Sequence, residues 1–292
     1  MKRTAALDLS SSSRVLATHA RRFFDQELPS QLRSEAFARF DRKRFTSAEL
    51  AWGRAAWQQR TLDEYRSLVG LSQYLDELGV CGAAFDAVGT AVRVVRDEAR
   101  HTELCRRMVH ALGGDDAIPG APVYVRSNPR RSVLERVLDT TLGSLCIGET
   151  LSVALLVASR DVTREPLSKA VLTVLAADES VHSQLGWTLL PLLWPAAPKK
   201  ARDRLVTSVR ESLDYAAQVS LEDGDDDRAR NPFGDLKPSE RRAVFFEAAE
   251  RDVLRRFAAL GIRVSASGRP WEWPRSRRAQ STWARSRTAA AG

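Results

Sequence analysis

Two five-residue segments of this chain repeat one pattern. Asp97-Glu98-Ala99-Arg100-His101 and Asp178-Glu179-Ser180-Val181-His182 both read Asp-Glu-x-x-His. Residues three apart on an α-helix lie on one face, so each Glu and His can present a carboxylate oxygen and an imidazole nitrogen to the same point. A carboxylate and an imidazole brought together in this way are ligands for a divalent transition metal. Two of the four histidines are used so, each inside a long stretch of helical periodicity. Chance placement does not account for two such pairs. His19 and His110 lack the pattern and read as ordinary side chains.

The elements that must position these pairs are read from periodicity, caps and breaks. Residues 10–44 suggest one or two short amphipathic helices anchored by Phe23, Phe24, Leu28 and Leu32. A Thr46-x-x-Glu49 capping box opens a long helix to about Glu77. After a short break at 78–82, a second long helix covers about 83–112 and ends at Gly113-Gly114. Pro119, Gly120, Pro122 and Pro129 make 115–129 an extended connection. Helices at about 131–160 and 165–194 follow, the second opened by Pro166 and closed by Pro191 and Pro195. Two more fit 199–222 and 238–260, the last ending at Gly261. No strand is expected, and the fold class is all-α.

Counting along these helices supplies the partners of the two pairs. Glu64 lies 16 residues before the first break, centred near residue 80, and Glu98 lies 18 after it. In an antiparallel hairpin the two stand at about one height. Glu149 and Glu179 are each 15 residues from Arg164, about 22 Å at helical rise. Each hairpin therefore presents one lone Glu opposite one Glu-x-x-His. An extended 113–130 is long enough to run back and set the hairpins side by side. Residues 140–159 are nearly all apolar or small, with Glu149 the one charge. A central Glu costs ~2.5–3.5 kcal/mol in a bilayer, so this reads as a buried core helix rather than a membrane span. Glu49, 15 residues before Glu64, is too far away to share a site and serves as a cap. Asp97 and Asp178 read as acceptors for the outer ring N–H of the opposing histidines, Asp97 for His182 and Asp178 for His101.

Glu64, Glu98, His101, Glu149, Glu179 and His182 thus form a set of four carboxylates and two imidazoles from four helices. This is the ligand set of a two-metal carboxylate centre, with two iron ions expected and manganese the alternative. Leu68, Cys105, Leu145 and Val153, one turn from the ligands, are expected to line a mostly apolar substrate pocket.

With these residues on the page, 47–194 resembles the ferritin-like di-iron superfamily, especially its non-haem oxygenase branches. The Asp97–His101 string resembles that of soluble methane monooxygenase and its bacterial multicomponent relatives. The spacing of Glu64 to Glu98 and Glu149 to Glu179 is similar to that of the p-aminobenzoate N-oxygenase group. That group carries a further His ligand one turn before its last Glu-x-x-His, where this chain has Leu175. In the ribonucleotide reductase small subunit the radical tyrosine stands one turn after the corresponding His; Cys105 stands there here, and no tyrosyl radical is expected. The resemblance implies a ferritin-like four-helix bundle, with a long crossover between its second and third helices and additional helices at both ends. It implies a di-iron oxidoreductase that uses dioxygen to hydroxylate, N-oxygenate or desaturate an apolar or aromatic small molecule or an acyl substrate. An electron donor such as a reductase or ferredoxin would serve it. A ferroxidase that handles iron as substrate, and a non-catalytic metal-binding bundle, are the alternative readings.

Composition bounds the rest. The chain has 292 residues, 43% hydrophobic and 28% charged, the balance of a globular protein with a sizeable core. Cys81, Cys105 and Cys146 form no C-x-x-C pair, which excludes a disulfide scaffold, a zinc ribbon and a thiolate-held iron–sulfur centre. The net charge of +8 resides in the ends: residues 263–292 carry +6 and 1–44 carry +5, leaving 45–262 at −3. A nucleic-acid reader concentrates charge on a folded face, so no nucleic-acid partner is expected. The start has no apolar stretch of signal-peptide length, and a cytoplasmic location is the expectation; a homodimer is compatible with the reading. The domains read as a basic segment at 1–45, a di-metal core at 46–196, two further helices packed on it at 197–262, and a basic tail at 263–292. That tail, with Trp271, Trp273 and Trp283, is expected to be disordered. Trp52, Trp57, Trp187 and Trp194 are expected in the core. The acidic run at 223–227 lacks the Gly and Glu positions of a calcium loop and reads as a solvated turn.

Overall fold

The structure, a computed structural model, describes residues 14–115, 130–221 and 230–264. Among the described residues there are eight helices and no strand, so the protein is all-α. They are α1 (Arg14–Glu27), α2 (Ser34–Ala38), α3 (Ser47–Val80), α4 (Phe85–Ala111), α5 (Val133–Val162), α6 (Pro166–Leu193), α7 (Lys199–Ser220) and α8 (238–259). Residues 116–129 of the extended connection expected at 115–129, the acidic run at 223–227 and the tryptophans of the C-terminal tail lie outside the described residues.

Local chemistry sets the helix ends. The Thr46 N–H donates to Glu49 Oε2 at 2.8 Å and the Glu49 N–H to Thr46 Oγ1 at 3.2 Å, a complete capping box for α3. The hydrogen bond from the Thr46 backbone holds the Glu49 carboxyl below its ordinary pKa. α4 runs into Gly113 at φ +84°, a left-handed conformation that favours glycine. Pro191 lies in the last turn of α6, which runs to Leu193, about where the sequence ends it, before a 3₁₀ turn at Trp194–Ala196. The proline forgoes a single backbone bond, and in the final turn of the helix little depends on it.

A departure lies in α5. Between α-helical Val133–Thr140 and Thr150–Val162, residues Thr141–Glu149 are π-helical, and α8 contains a similar stretch at Ala249–Leu254. Hydrogen bonds there close i to i+5 instead of i to i+4. α5 is also the one described helix long and apolar enough to cross a membrane, yet 56% of that apolar window is buried inside the protein.

The described chain divides into two compact units. The first comprises the described part of Met1–Arg136 with Ser159–Asp178 and Asn231–Asp235. Here α3 and α4 pack as a hairpin that buries Trp57, Leu71, Tyr74, Leu78, Val94, Leu104 and Met108. Phe233 seats on Gly53, where a Cβ would stand 2.5 Å from the ring. Arg107 ties α1 to α4: its buried guanidinium donates to Asp25 at 2.6 Å and Glu103 at 2.8 Å, while Asp25 accepts the N–H and hydroxyl of Ser34. Leu28 and Leu32 are buried, but Phe23 is 48% exposed. α1 turns Asp25 and Leu28 inward, and Phe23 rests edge-on against Phe24.

Burial pushes the Asp25 carboxyl up, but hydrogen bonds from Ser34 and Arg107 outweigh it and hold the group below its ordinary pKa. A lowered folded pKa gives stability that is complete above the unfolded value and lost as pH falls through the folded one. Docking of α1 is therefore expected to hold down to about pH 4 and to loosen below it. Asp25→Asn should loosen it already at neutral pH. Amide exchange across residues 14–27 as a function of pH checks both outcomes.

The second unit comprises Val137–Ala158, the described part of Glu179–Arg230, and α8. The π-helical stretch of α5 packs against α7 and against the π-helical stretch of α8. It buries Leu142, Leu145, Cys146 and Ile147, facing a core that also holds Leu205, Val209, Phe245, Val253 and Phe257. Gly186 of α6 lets the helices meet at the backbone: a Cβ there would stand 2.6 Å from Leu145 Cβ and 3.0 Å from its carbonyl carbon. Of the four tryptophans expected in the core, Trp57 is buried, and Trp52, Trp187 and Trp194 keep part of the ring exposed. An indole has an apolar body and a polar N–H edge, so partial burial satisfies both.

Candidate metal centre

In the first unit, Glu64 on α3 and Glu98 and His101 on α4 are buried. His101 Nδ1 lies 3.5 Å from Glu64 Oε2, and its Nε2 lies 3.2 Å from Asp178 Oδ2. Donation of the Nε2 proton to Asp178 leaves the Nδ1 lone pair directed to the carboxylate side. Asp178 Oδ2 also accepts Arg100 Nη2 at 2.6 Å, and the same nitrogen reaches Asp97 Oδ1 at 2.9 Å. Arg93 Nε donates to the other oxygen of Asp97 at 3.4 Å. Asp97 is engaged by two arginines, and Asp178 faces His101, the partner that the sequence suggested for it.

In the second unit, Glu149 stands at the end of the π-helical stretch, and Glu179 and His182 lie one turn apart on α6. All three are buried. His182 Nδ1 is 2.7 Å from Glu179 Oε2, so in both imidazoles Nδ1 faces a carboxylate of the set.

The six residues form two overlapping groups, Glu64, Glu98, His101 and Glu179, and Glu98, Glu149, Glu179 and His182. In each group the donor atoms lie within 4.8 Å of one another. Glu98 and Glu179 belong to both. Neighbouring acids are engaged elsewhere: Asp63 is turned to solvent with Gln59 and Arg66, and Glu49 closes its cap.

Whether metal ions suit this set follows from its charge and donors. Removing a carboxylate from water costs several kcal/mol unless an opposite charge compensates, and four carboxylates converge here. Two divalent ions would supply a matching charge of +4. Carboxylate and imidazole donors suit iron or manganese. Cys105 and Cys146 are fully buried, and burial pushes the Cys146 pKa far up. The residues fit a pair of divalent transition-metal ions. Of the expected pocket residues, Cys105 and Leu145 are buried and Leu68 and Val153 are partly exposed; Leu175 is buried.

Arg100 escaped the sequence reading. An arginine three residues after an aspartate on a helix resembles a solvated ion pair, and the matching place in the second motif is Val181. The one signal was its position inside the motif. Asp178→Asn would remove the charge that His101 and Arg100 share. It is expected to lower metal affinity ~10–100-fold, read by metal titration, with Asp63→Asn as the silent control. No family model, curated protein or solved structure matches this chain, and the chemistry of the site is read from its own residues.

Proposed function

We propose that this chain is a ferritin-like di-iron oxidoreductase that uses dioxygen to oxidise an apolar or aromatic small molecule or an acyl substrate. The observation that carries this reading is the pair of overlapping Glu/His groups that share Glu98 and Glu179. Helices α3 to α6, which bear the six residues, would form the ferritin-like bundle. Glu64 and His101 would hold one ion, Glu149 and His182 the other, and Glu98 and Glu179 both. When bound, such a pair supplies two-electron redox chemistry toward dioxygen.

The protein's own part is to bind, orient and exclude water. Four carboxylates would neutralise two divalent ions, which would let such a centre sit in an apolar interior. Asp178, itself held by Arg100, fixes the ring of His101. Cys105 and Leu145, each one helical turn in sequence from a ligand, are buried and would keep water from it. A reductase or ferredoxin is the electron donor in this reading.

The test is oxygen uptake by protein loaded anaerobically with ferrous ion, at about two ions per chain. With a reduced ferredoxin or reductase supplied, repeated turnover at constant iron is expected. Uptake that merely tracks added ferrous ion would make iron the substrate instead, and a folded preparation that takes up neither iron nor manganese would overturn the metal centre itself.

A further inference from the structure

We propose that Thr150, Ser183 and Trp187 are positioning residues for the half of the centre formed by Glu149 and His182, an inference that rests on the metal reading above. Thr150 follows Glu149 directly, at the point where α5 returns from π-helical to α-helical geometry. Ser183 follows His182 directly on α6. Their hydroxyls are both buried and lie 2.7 Å apart. Trp187, one turn beyond Ser183, donates its indole N–H to Thr150 Oγ1 at 3.0 Å. The indole is in turn packed by Phe257, with ring centres 5.0 Å apart, and covered by the Arg256 guanidinium at 5.2 Å, both from α8.

The bridge joins the residue after one ligand to the residue after the other. That matters because Glu149 ends a π-helical stretch, a geometry that appears mostly as short interruptions of α-helices and often at functional sites. A slip of one residue in α5 would turn Glu149 by about 100° about the helix axis. The Thr150–Ser183 hydrogen bond holds α5 against α6 in one register, and Gly186 allows the backbones to come close enough for it. A buried hydroxyl pair contributes little net stability over an apolar pair of the same shape. What it adds is direction. A buried threonine can otherwise satisfy itself on the carbonyl four residues back in its own helix, so the contacts to Ser183 and Trp187 are specific to this packing.

The test uses cobalt(II), titrated into the metal-free full-length protein and followed by its visible absorption. Wild type is expected to take two ions per chain. Thr150→Val, which keeps shape and removes the hydroxyl, leaves the Ser183 hydroxyl and the Trp187 N–H without this partner and should lower the metal-free melting temperature modestly. It should retain one tight ion and weaken the other ~10–100-fold, with an altered spectrum. Ser183→Ala should act likewise, and Thr150→Ser should restore the wild-type titration. Should Thr150→Val fail to fold, Ser183→Ala carries the test alone. Wild-type affinity and spectrum in the hydroxyl-free variants would overturn the positioning role, and so would failure of Thr150→Ser to restore them. A wild-type protein that binds no cobalt, iron or manganese would overturn the metal reading itself, which the variants alone would not.

Discussion

Replacing Glu98 or Glu179 by Ala is expected to cost the protein both metal ions, whereas replacing Glu64 or Glu149 is expected to cost one. Glu98 and Glu179 belong to both donor groups, and Glu64 and Glu149 to one each. Metal content should fall from about two per chain to near none in the first pair of variants and to near one in the second. A ligand that binds only the folded state stabilises it by about 2.7 kcal/mol at a hundredfold excess over its Kd. The rise in melting temperature on adding metal should therefore vanish in Glu179→Ala and persist in part in Glu149→Ala. Without metal the order reverses. Removing one of four converging buried carboxylates relieves repulsion and desolvation, so metal-free Glu98→Leu is expected to melt above metal-free wild type. Glu49→Ala is the control, costing at most ~0.5–2 kcal/mol of cap stability and keeping both ions. Equal metal loss across all four ligand variants would contradict the sharing.

Gly186→Ala should destabilise the second unit strongly. A Cβ at this position would meet Leu145 Cβ at 2.6 Å, the Leu145 carbonyl carbon at 3.0 Å and the Cys146 nitrogen at 3.1 Å. These are main-chain atoms or atoms fixed to it, so no rotamer change relieves the contact. Removing a glycine from a helix interior gains about 0.5–1 kcal/mol, but overpacking costs about 1–3 kcal/mol, and here the backbone must move. The net result is lower stability in urea unfolding, and Gly186→Val should be worse. The same displacement would part Thr150 from Ser183, so cobalt uptake should weaken selectively at the Glu149 and His182 side.

The site was legible in the sequence to the depth that helix geometry reaches. Glu98, His101, Glu179 and His182 announce themselves because an i, i+3 spacing has one meaning on a helix. Glu64 and Glu149 follow from counting residues out from two helix breaks, since helical rise is constant. The structure brings all six together. Asp178 is legible because it adjoins a ligand. Arg100, Thr150, Ser183 and Trp187 are not, because each acts through a contact with another element and its own neighbours give no sign of it. The π-helical stretch left no mark either: an i to i+5 pattern alters hydrogen bonding without altering composition, and residues 140–149 mix small and apolar side chains with no clear polar face to show a change of phase. The end of α6 was legible from Pro191 and Pro195, because a proline removes a backbone donor and few bonds remain beyond it near a terminus.

The π-helical stretch has a consequence in genetic terms. A π-turn is an α-turn with one residue added, so Thr141–Glu149 behaves as an insertion that an in-frame loss of a single codon can undo. Such a deletion between Leu142 and Gly148 would return α5 to ordinary α-helix while leaving its flanking halves and their apolar faces in place. The helix would survive, and Glu149 with its neighbour Thr150 would keep their identities and lose their aim. Reading frame and folding would both be preserved while one of the six candidate ligands was silenced. That makes codon number in this segment, as much as the glutamate itself, a condition for the centre to exist.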